Sequence, residues 1–414
     1  NLGEAVTSLS FAMFYNRIGW VALGALLVMY LLPRRVRPYQ ERLDVACATL
    51  LTLVMLYTKA TYGLVALAFL VFLLSDPRQR RVAASVLALT GLAVLLVEAV
   101  WQGSAQYIAD LVLTGKVSGT RGPESLVLGF LRHLSDYVLF AVLAALVLWR
   151  TCSLRDLLFF GFCAVPGLLI QAQNSQPWGI ITLHAGAVVA AEFLLRSETR
   201  EKARTLASGS IFLVAALLLP TMIHYALGLG IHTSLAVAQA GRPFGLPAFE
   251  QVRFTLPWAP GEYGFMGRYL DTIEDGAKAL SGLPGRPERV SVLDFANPFS
   301  AGLNLPPPRG DNAWLHWGRN VSAEHFIPPE EMFRDVRFLM LPKWGINPVP
   351  LRDLYGAYVD ANFDHAAETD FWIVAARRGT GADEMAKGGS SVDACSATEP
   401  ARAWRVGAGY GCPQ

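Results

Sequence analysis

The chain has 414 residues, of which 53% are hydrophobic and 16% are charged, and its formal net charge is +2. Soluble domains carry about 25% charged residues, so this composition excludes an ordinary soluble enzyme. A net charge this close to zero does not indicate nucleic-acid binding. The charge deficit lies in residues 18–230, which we expect to be embedded in a membrane.

Clusters of basic residues separate the apolar runs in the first half of the chain. They are Arg34–Arg37, Arg78–Arg81, Arg150–Arg155 and Arg196–Arg204. Short loops rich in Lys and Arg remain cytoplasmic, so these clusters predict a common cytoplasmic side. With the clusters inside, the C-terminal part of the chain is exported.

The apolar runs, taken in chain order, predict about eight membrane spans. They are Ile18–Leu32, two short helices within Val45–Ser75, Val82–Trp101, Leu134–Trp149, Leu157–Ala172, Trp178–Leu195 and Ser208–Ala226. A single helix over Val45–Ser75 would be about 46 Å long, against a hydrocarbon core of about 30 Å. It would also place the basic clusters Arg34–Arg37 and Arg78–Arg81 on opposite sides of the membrane. A turn near Tyr57–Gly63 satisfies both constraints.

Residues 102–133 are predicted to form an exported loop between two spans. Within it, Ala105–Thr114 carries Tyr107, Ile108, Leu111 and Val112 on one helical face. An amphipathic helix of this kind lies on the membrane surface. A loop tip, Gly115–Pro123, is expected to follow it.

The composition changes near Gly228, and residues 231–378 are predicted to form an exported domain. Its predicted elements are strands at Val290–Phe295, Phe338–Pro342 and Phe371–Ala376, a helix start at Pro328–Glu331 and a helix at Leu351–Phe363. Strands alternating with helices indicate a small α/β domain. Residues 379–414 are expected to be a loosely ordered tail, and whether its Cys395 and Cys412 form a disulfide stays open.

The fold class predicted for the whole chain is therefore mainly α. We expect a polytopic transmembrane helix bundle over residues 1–230, followed by the exported α/β domain and the tail. Asn1 reads as part of a loop, so an N-terminal portion is expected to be missing.

Ionisable groups at the edge of membrane spans are functional candidates, because burying them is costly. Lys59 lies at the predicted turn and Arg17 lies just outside the first span, so both would meet a lipid-linked phosphate at the outer surface. The alternatives are a snorkelling lysine and an arginine that anchors to lipid headgroups.

Amide side chains are concentrated at the exported turn between two later spans. Gln173, Asn174 and Gln176 lie in this turn, and His184 follows at the beginning of the next span. These residues would bind sugar or acceptor hydroxyls. The alternatives are a solvated turn and a packed, hydrogen-bonded histidine.

The exported domain carries His316, His325 and Arg319, with Trp314 and Trp317 close to them in the sequence. The spacing matches neither a Ser-His-Asp arrangement nor a zinc site, and no metal is expected. The two tryptophans would either stack on sugar rings or belong to the core.

A multispan bundle with an exported C-terminal α/β domain resembles the GT-C superfamily of glycosyltransferases, which includes the protein mannosyltransferase and lipid A aminoarabinose transferase families. The segments that carry the resemblance are Phe11–Trp20, Tyr57–Tyr62, Gln173–Gln176, Asn297–Phe299, Leu341–Lys343 and Phe371–Ile373. The resemblance implies a protein of the bacterial inner membrane, with its C-terminal domain extracytoplasmic.

This resemblance also implies an activity. Such enzymes transfer a sugar from a polyprenyl-phosphate carrier to an acceptor on the exported face, where an acidic residue of the first exported loop acts as the base. No residue here matches that acid, so the catalytic residue stays unassigned. No cofactor is implied with certainty; the implied partners are membrane lipid and a polyprenyl-phosphate-linked sugar as the donor substrate, and the acceptor is unknown. A transporter or flippase and a non-catalytic scaffold of envelope polysaccharide assembly are the alternatives.

Overall fold

The computed structural model describes residues 14–33, 37–118, 123–173, 180–196, 202–254, 260–284, 287–311, 314–345 and 347–379. The longer helices are α1 (Phe14–Leu27), α2 (Gln40–Thr58), α3 (Ala60–Leu73), α4 (Arg80–Trp101), α5 (Ser104–Ser118), α6 (Pro123–Arg132), α7 (Leu134–Thr151), α8 (Leu154–Gln173), α9 (Ile181–Arg196), α10 (Lys202–Val237) and α11 (Pro260–Ser281). The remaining helices are α12 (Pro298–Gly302), α13 (Pro329–Met332) and α14 (Pro348–Asn362).

The chain divides into two compact units. The first unit, here called the helical unit, comprises residues 1–108 and 120–238, and the second comprises residues 109–119 and 239–414. Within the described residues, Arg80–Trp101, Leu134–Thr151 and Ser208–Val237 are long and apolar enough to cross a membrane. The number of spans and their orientation stay predictions.

The predicted break within Val45–Ser75 is present. Helix α2 ends at Thr58 and α3 begins at Ala60, and Lys59 between them has an extended backbone with φ −163° and ψ 119°. The two short helices pack against each other and against α4 and α1. A hairpin therefore replaces the single long helix that the unbroken apolar run would otherwise favour.

Two expectations for the connecting segments are revised. The predicted loop tip Gly115–Pro123 is partly helical, because α5 continues to Ser118 and α6 begins at Pro123. Helix α10 extends to Val237, through the composition change at Gly228. Three apolar side chains predicted on one face of α5 are exposed, namely Ile108, Leu111 and Val112.

The second unit contains the strands. They are β1 (Arg242–Pro243), β2 (Arg253–Phe254), β3 (Val290–Val292), β4 (Phe338–Pro342), β5 (Phe363–Glu368) and β6 (Trp372–Arg377). The main sheet has the order β3-β4-β6-β5, in which β3 and β4 are parallel and the other pairs antiparallel. Strand β4 lies in the interior of the sheet, and all five of its residues are buried, as its continuous apolar run requires.

Apolar clusters cover both faces of this sheet. One cluster joins Leu270 and Ile273 of α11 to Val290 and Met340, and the other joins Leu351 and other α14 residues to the opposite face. The result is a helix–sheet–helix arrangement. Its parallel pair β3–β4 places the residues that follow these two strands at one edge, where α/β proteins bind ligands.

The predicted strands agree with the structure at Phe338–Pro342 and overlap it at the other two positions. The predicted helix Leu351–Phe363 corresponds to α14, which stops at Asn362, and strand β5, which begins at Phe363, was not predicted. The predicted tail beyond Gly379, with Cys395 and Cys412, lies outside the described residues.

Candidate functional site

Lys59 lies where two helix ends meet. Its backbone N–H donates to the Met55 carbonyl of α2, and its own carbonyl accepts from Tyr62 and Gly63 at the beginning of α3. The N-terminus of α3 carries the positive end of a helix dipole. The break therefore presents a lysine ammonium beside a positive helix end.

Helix α1 contacts Lys59 through Asn16. Lys59 Nζ donates to Asn16 Oδ1 at 3.2 Å, and the next residue along α1 is Arg17, which is only 5% exposed. The close approach requires a glycine, because a Cβ on Gly19 would lie 2.5 Å from the Tyr62 ring of α3. We call Asn16, Arg17, Lys59 and Tyr62 the Lys59 cluster.

Aromatic and polar groups surround this cluster. Lys59 Nζ lies 5.8 Å from the ring centroids of both Tyr15 and Tyr62, within the range of a cation–π interaction. The Tyr107 hydroxyl accepts a hydrogen bond of 3.1 Å from the Ala60 N–H. His232 of α10 lies close enough to Arg17 to experience its charge. The groups around the cluster thus include residues of α5 and α10.

Two buried donors in the cluster lack a partner. Among the described residues, neither Asn16 Nδ2 nor the Tyr62 hydroxyl forms a hydrogen bond, although both residues are fully buried. A buried donor without a partner costs about 1–3 kcal/mol. Oxygen atoms of an anion held by the two cations would satisfy both donors.

His184 belongs to a different place. The Cβ direction of Gly24 points at Ile181, and Arg196 donates to the Leu32 carbonyl at 2.8 Å, so α9 runs beside α1 in the same direction. Gly24 lies about 10 Å along α1 from Arg17. His184 follows Ile181 and is therefore farther still, and it is buried among the helices.

The structure does not show whether the amide side chains of Gln173, Asn174 and Gln176 lie near the Lys59 cluster. Gln173 is the last residue of α8, and Asn174 and Gln176 lie outside the described residues. The binding roles of these three residues and of His184 stay predictions.

A second polar cluster, which the sequence reasoning missed, lies at the opposite ends of the same helices. The Tyr30 hydroxyl donates to Asp156 Oδ1 at 2.5 Å, and the Arg155 guanidinium lies 4.5 Å from the Tyr30 ring centroid. Arg155 Nη2 also lies 2.8 Å from both Asp76 Oδ2 and Gln79 Oε1. We call these five residues the Arg155 cluster.

The Arg155 cluster joins three connections of the helical unit. Tyr30 follows α1, Asp76 and Gln79 lie between α3 and α4, and Arg155 and Asp156 begin α8. The sequence did contain a signal for this cluster, because Asp76 and Asp156 are acidic residues in segments otherwise rich in arginine. The Arg78–Arg81 and Arg150–Arg155 segments therefore have a packing role in addition to the topological one predicted for them.

Tyr30→Phe is expected to destabilise the helical unit by about 1.5–3 kcal/mol, because Asp156 would lose a hydrogen bond to its charged oxygen in a buried place. Tyr39→Phe is the matched control, since Tyr39 is 71% exposed. Thermal unfolding in lipid nanodiscs measures both variants. Equal midpoints for the wild type and Tyr30→Phe would contradict the prediction.

Comparisons with protein-family models, with curated proteins and with solved structures find no match for this chain. An assignment of function therefore rests on the geometry of the described residues and on the sequence resemblance.

Proposed function

We propose that this protein is a membrane glycosyltransferase that takes a sugar from a polyprenyl-phosphate carrier and transfers it to an acceptor at the extracytoplasmic surface. The observation that carries the proposal is the Lys59 cluster. Lys59 bonds there to Asn16, the residue before Arg17 on α1, and both Asn16 Nδ2 and the Tyr62 hydroxyl are buried without a partner among the described residues.

The charges of the cluster suit a phosphate. An arginine fork and a lysine ammonium are the side chains that bind phosphate oxygens most strongly. The four residues that define the cluster include two cations and no carboxylate. The beginning of α3 adds a favourable helix dipole.

A groove in the helical unit suits the isoprenoid chain of the carrier. It has a volume of about 370 Å³ and lies between α9 and α10, lined by Val188, Ala191, Ile211, Leu218 and Met222, among others. Glu192 at its wall is paired with Arg196 at 2.7 Å. An apolar groove in a candidate membrane helix pair accommodates a hydrocarbon chain better than a polar ligand.

The proposed reaction exchanges one bond at the sugar anomeric carbon for another. The bond from this carbon to the phosphate oxygen breaks, and polyprenyl phosphate leaves with the electron pair. The acceptor oxygen bonds to the carbon, and its proton passes to a base that we leave unassigned. Negative charge grows on the leaving phosphate, where Arg17 and Lys59 would stabilise the transition state.

Lipid binding tests the proposal directly. The wild type in nanodiscs is expected to bind polyprenyl phosphate about tenfold or more tightly than polyprenol of equal chain length, a difference of about 1.4 kcal/mol or more. Native mass spectrometry of the two lipids measures the ratio. Lys59→Gln is expected to remove most of the difference in affinity between polyprenyl phosphate and polyprenol.

The control for this experiment is Lys116→Gln, which removes an exposed lysine near the end of α5. Its ratio is expected to equal that of the wild type. Equal binding of polyprenol and polyprenyl phosphate by the wild type would exclude a phosphate site at Lys59.

A further inference from the structure

Asp294 follows strand β3 of the second unit, at the edge where the parallel strands β3 and β4 end. Asn347 holds it there, because Asn347 Nδ2 donates to Asp294 Oδ1 at 3.1 Å. Asn347 is only 1% exposed, and its other bonds to the Leu315 carbonyl and the Trp317 N–H fix its amide. The position of the carboxylate is therefore set by a buried, fully engaged neighbour.

The second carboxylate oxygen of Asp294 lies close to Gly345. A Cβ on Gly345, which follows β4, would lie 3.3 Å from Asp294 Oδ2. Gly345 has φ +140°, a conformation that side chains other than glycine's rarely adopt. Glycine at this position therefore keeps a side chain away from Asp294 Oδ2.

Among the residues that the structure describes, no Lys, Arg or His side chain forms an ion pair with Asp294. Burial raises the pKa of Asp294, although the Phe295 N–H and Asn347 oppose this by donating hydrogen bonds. A partly buried carboxylate without a paired cation costs stability. Such a cost is typical of a residue retained for binding or chemistry.

Aromatic rings stand beside the carboxylate. Phe295 is 49% exposed, and its ring lies edge-to-face to Trp314 and to His316, with centroids 5.5 Å away in each case. Burial and the nearby Arg319 charge lower the pKa of His316, which favours the neutral form of its ring. Phe295 therefore offers a supported apolar surface next to a hydrogen-bond acceptor.

Neutral polar groups complete the arrangement. Burial, and to a lesser degree the Asp294 charge, raise the pKa of Tyr269, which keeps its hydroxyl protonated. Among the described residues, the buried Nδ1 of His316 has no hydrogen-bond partner. The site thus combines one carboxylate with a phenol, an imidazole and an aromatic surface.

These groups argue against a phosphate ligand at this edge. The Asp294 charge would repel an anion. Helix α14 begins with Pro348 and Pro350, which have no N–H to donate, so its N-terminus offers few bonds to an anion. A ligand rich in neutral hydroxyl groups meets no such opposition.

We infer that Asp294, Phe295, His316 and Tyr269 form a carbohydrate-binding site for a neutral saccharide. The sugar hydroxyls would donate to Asp294 and bond to His316 and Tyr269, while the apolar face of the ring packs on Phe295. The inference does not depend on the proposed transferase activity, since it concerns binding by the second unit alone.

Saccharide binding by the full chain tests this inference. The protein is placed in lipid nanodiscs, because glycoside detergents would compete. Saturation-transfer NMR then measures binding of glucose, galactose, mannose, N-acetylglucosamine and their disaccharides, with choline as a cationic probe. The wild type is expected to bind at least one of these saccharides with a millimolar or lower dissociation constant.

Three variants separate binding from folding. Asp294→Asn and Phe295→Ala are each expected to weaken saccharide binding by tenfold or more. Asp364→Asn, at the opposite edge of the sheet, is the matched control and is expected to bind as the wild type. Asp364 forms an exposed pair with Arg378 at 2.7 Å, which contributes little stability.

The thermal midpoint supplies the second measurement. Because the folded pKa of Asp294 is raised, the ionised carboxylate lowers stability: stability is greatest below the unfolded pKa and is lost as the pH rises from there through the raised folded pKa. Asp294→Asn is therefore expected to melt at a temperature equal to or above that of the wild type at pH 7. The difference is expected to shrink as the pH falls.

The charged and polar groups that face Asp294 do not reverse the expected direction of this change in thermal midpoint with pH. Tyr269 of α11 stays neutral below pH 7, the amide of Asn347, which precedes α14, does not titrate, and the pKa of His316 is lowered. Saccharide binding by the wild type should weaken as the pH falls, since a protonated Asp294 accepts hydrogen bonds less well.

Any of four results would overturn the inference. They are binding of none of the saccharides, binding of choline alone, wild-type affinity in Asp294→Asn, and loss of binding in Asp294→Asn together with a lowered midpoint. The last result would assign Asp294 a structural role.

Discussion

Lys59→Ala is expected to lower the rate of sugar transfer by about 100-fold or more, with the protein still folded. Removing one preorganised donor from a developing anion costs about 100- to 1,000-fold in rate. Lys59 is half-buried and has its backbone in the break between α2 and α3, so truncation of the side chain leaves both helices in place. The loss should therefore appear in the rate rather than in stability.

Release of free polyprenyl phosphate measures the reaction. This product is the same for every sugar and every acceptor, so mass spectrometry can follow it with a panel of polyprenyl-phosphate sugars. Lys59→Arg is expected to retain more activity than Lys59→Ala, because it keeps the positive charge.

Arg17 extends this test to the second cation. Arg17→Lys keeps the charge and loses the planar fork that binds two oxygens at once. It is expected to reduce transfer by about tenfold or more, and the double variant with Lys59→Ala should show non-additive losses if both bind one phosphate. Lys116→Ala is the control. Unchanged release by Lys59→Ala would refute the assignment of the phosphate to this cluster.

Gly310→Ala is expected to destabilise the second unit by about 3 kcal/mol, at the upper end of the cost of overpacking. A Cβ at this position would overlap the carbonyl oxygen of Glu331, and it would lie 3.1 Å from the carbonyl oxygen of Met332. These are backbone atoms of α13 and its end, so no side-chain rotation relieves the overlap. Met332 and Phe333 are fully buried beside them.

Gly356→Ala is the matched control in the same unit. Gly356 lies within α14, where the nearest atom to an added Cβ is Arg352 Cγ at 3.9 Å. Alanine is favoured over glycine in a helix by about 0.5–1 kcal/mol, so this variant should be as stable as the wild type or more stable. Hydrogen exchange of the β4 peptide measures both. Equal protection of the β4 amides from hydrogen exchange in the wild type and in Gly310→Ala would contradict the expected overlap.

Local patterns accounted for much of the secondary structure. The apolar run Phe338–Pro342 matches strand β4 residue for residue, and the break at Lys59 follows from the length of a helix compared with the thickness of a bilayer. Strand β5 was missed because Phe363 continues the apolar pattern of α14, although its backbone is already extended. The identity of a terminal residue is too weak a signal to separate the two elements.

The candidate sites were predictable only in part. Arg17 and Lys59 were recognised singly as ionisable residues near span ends, and the structure joins their helices through Asn16. The sequence did not indicate that His184 is remote from them, since its position depends on how α9 packs along α1. Asp294 was passed over because no motif surrounds it.

By itself, the sequence determined the elements whose causes are local: apolar runs that exclude charge, a length limit that forces a hairpin at Lys59, and a strand of continuous apolar residues. Only the tertiary structure decided which distant polar groups meet. Tyr30 and Asp156 are 126 positions apart, and Asp294 and Asn347 are 53 apart. A buried polar group must find a partner, but many partners satisfy that requirement, and the packing of helices and sheet selects one of them.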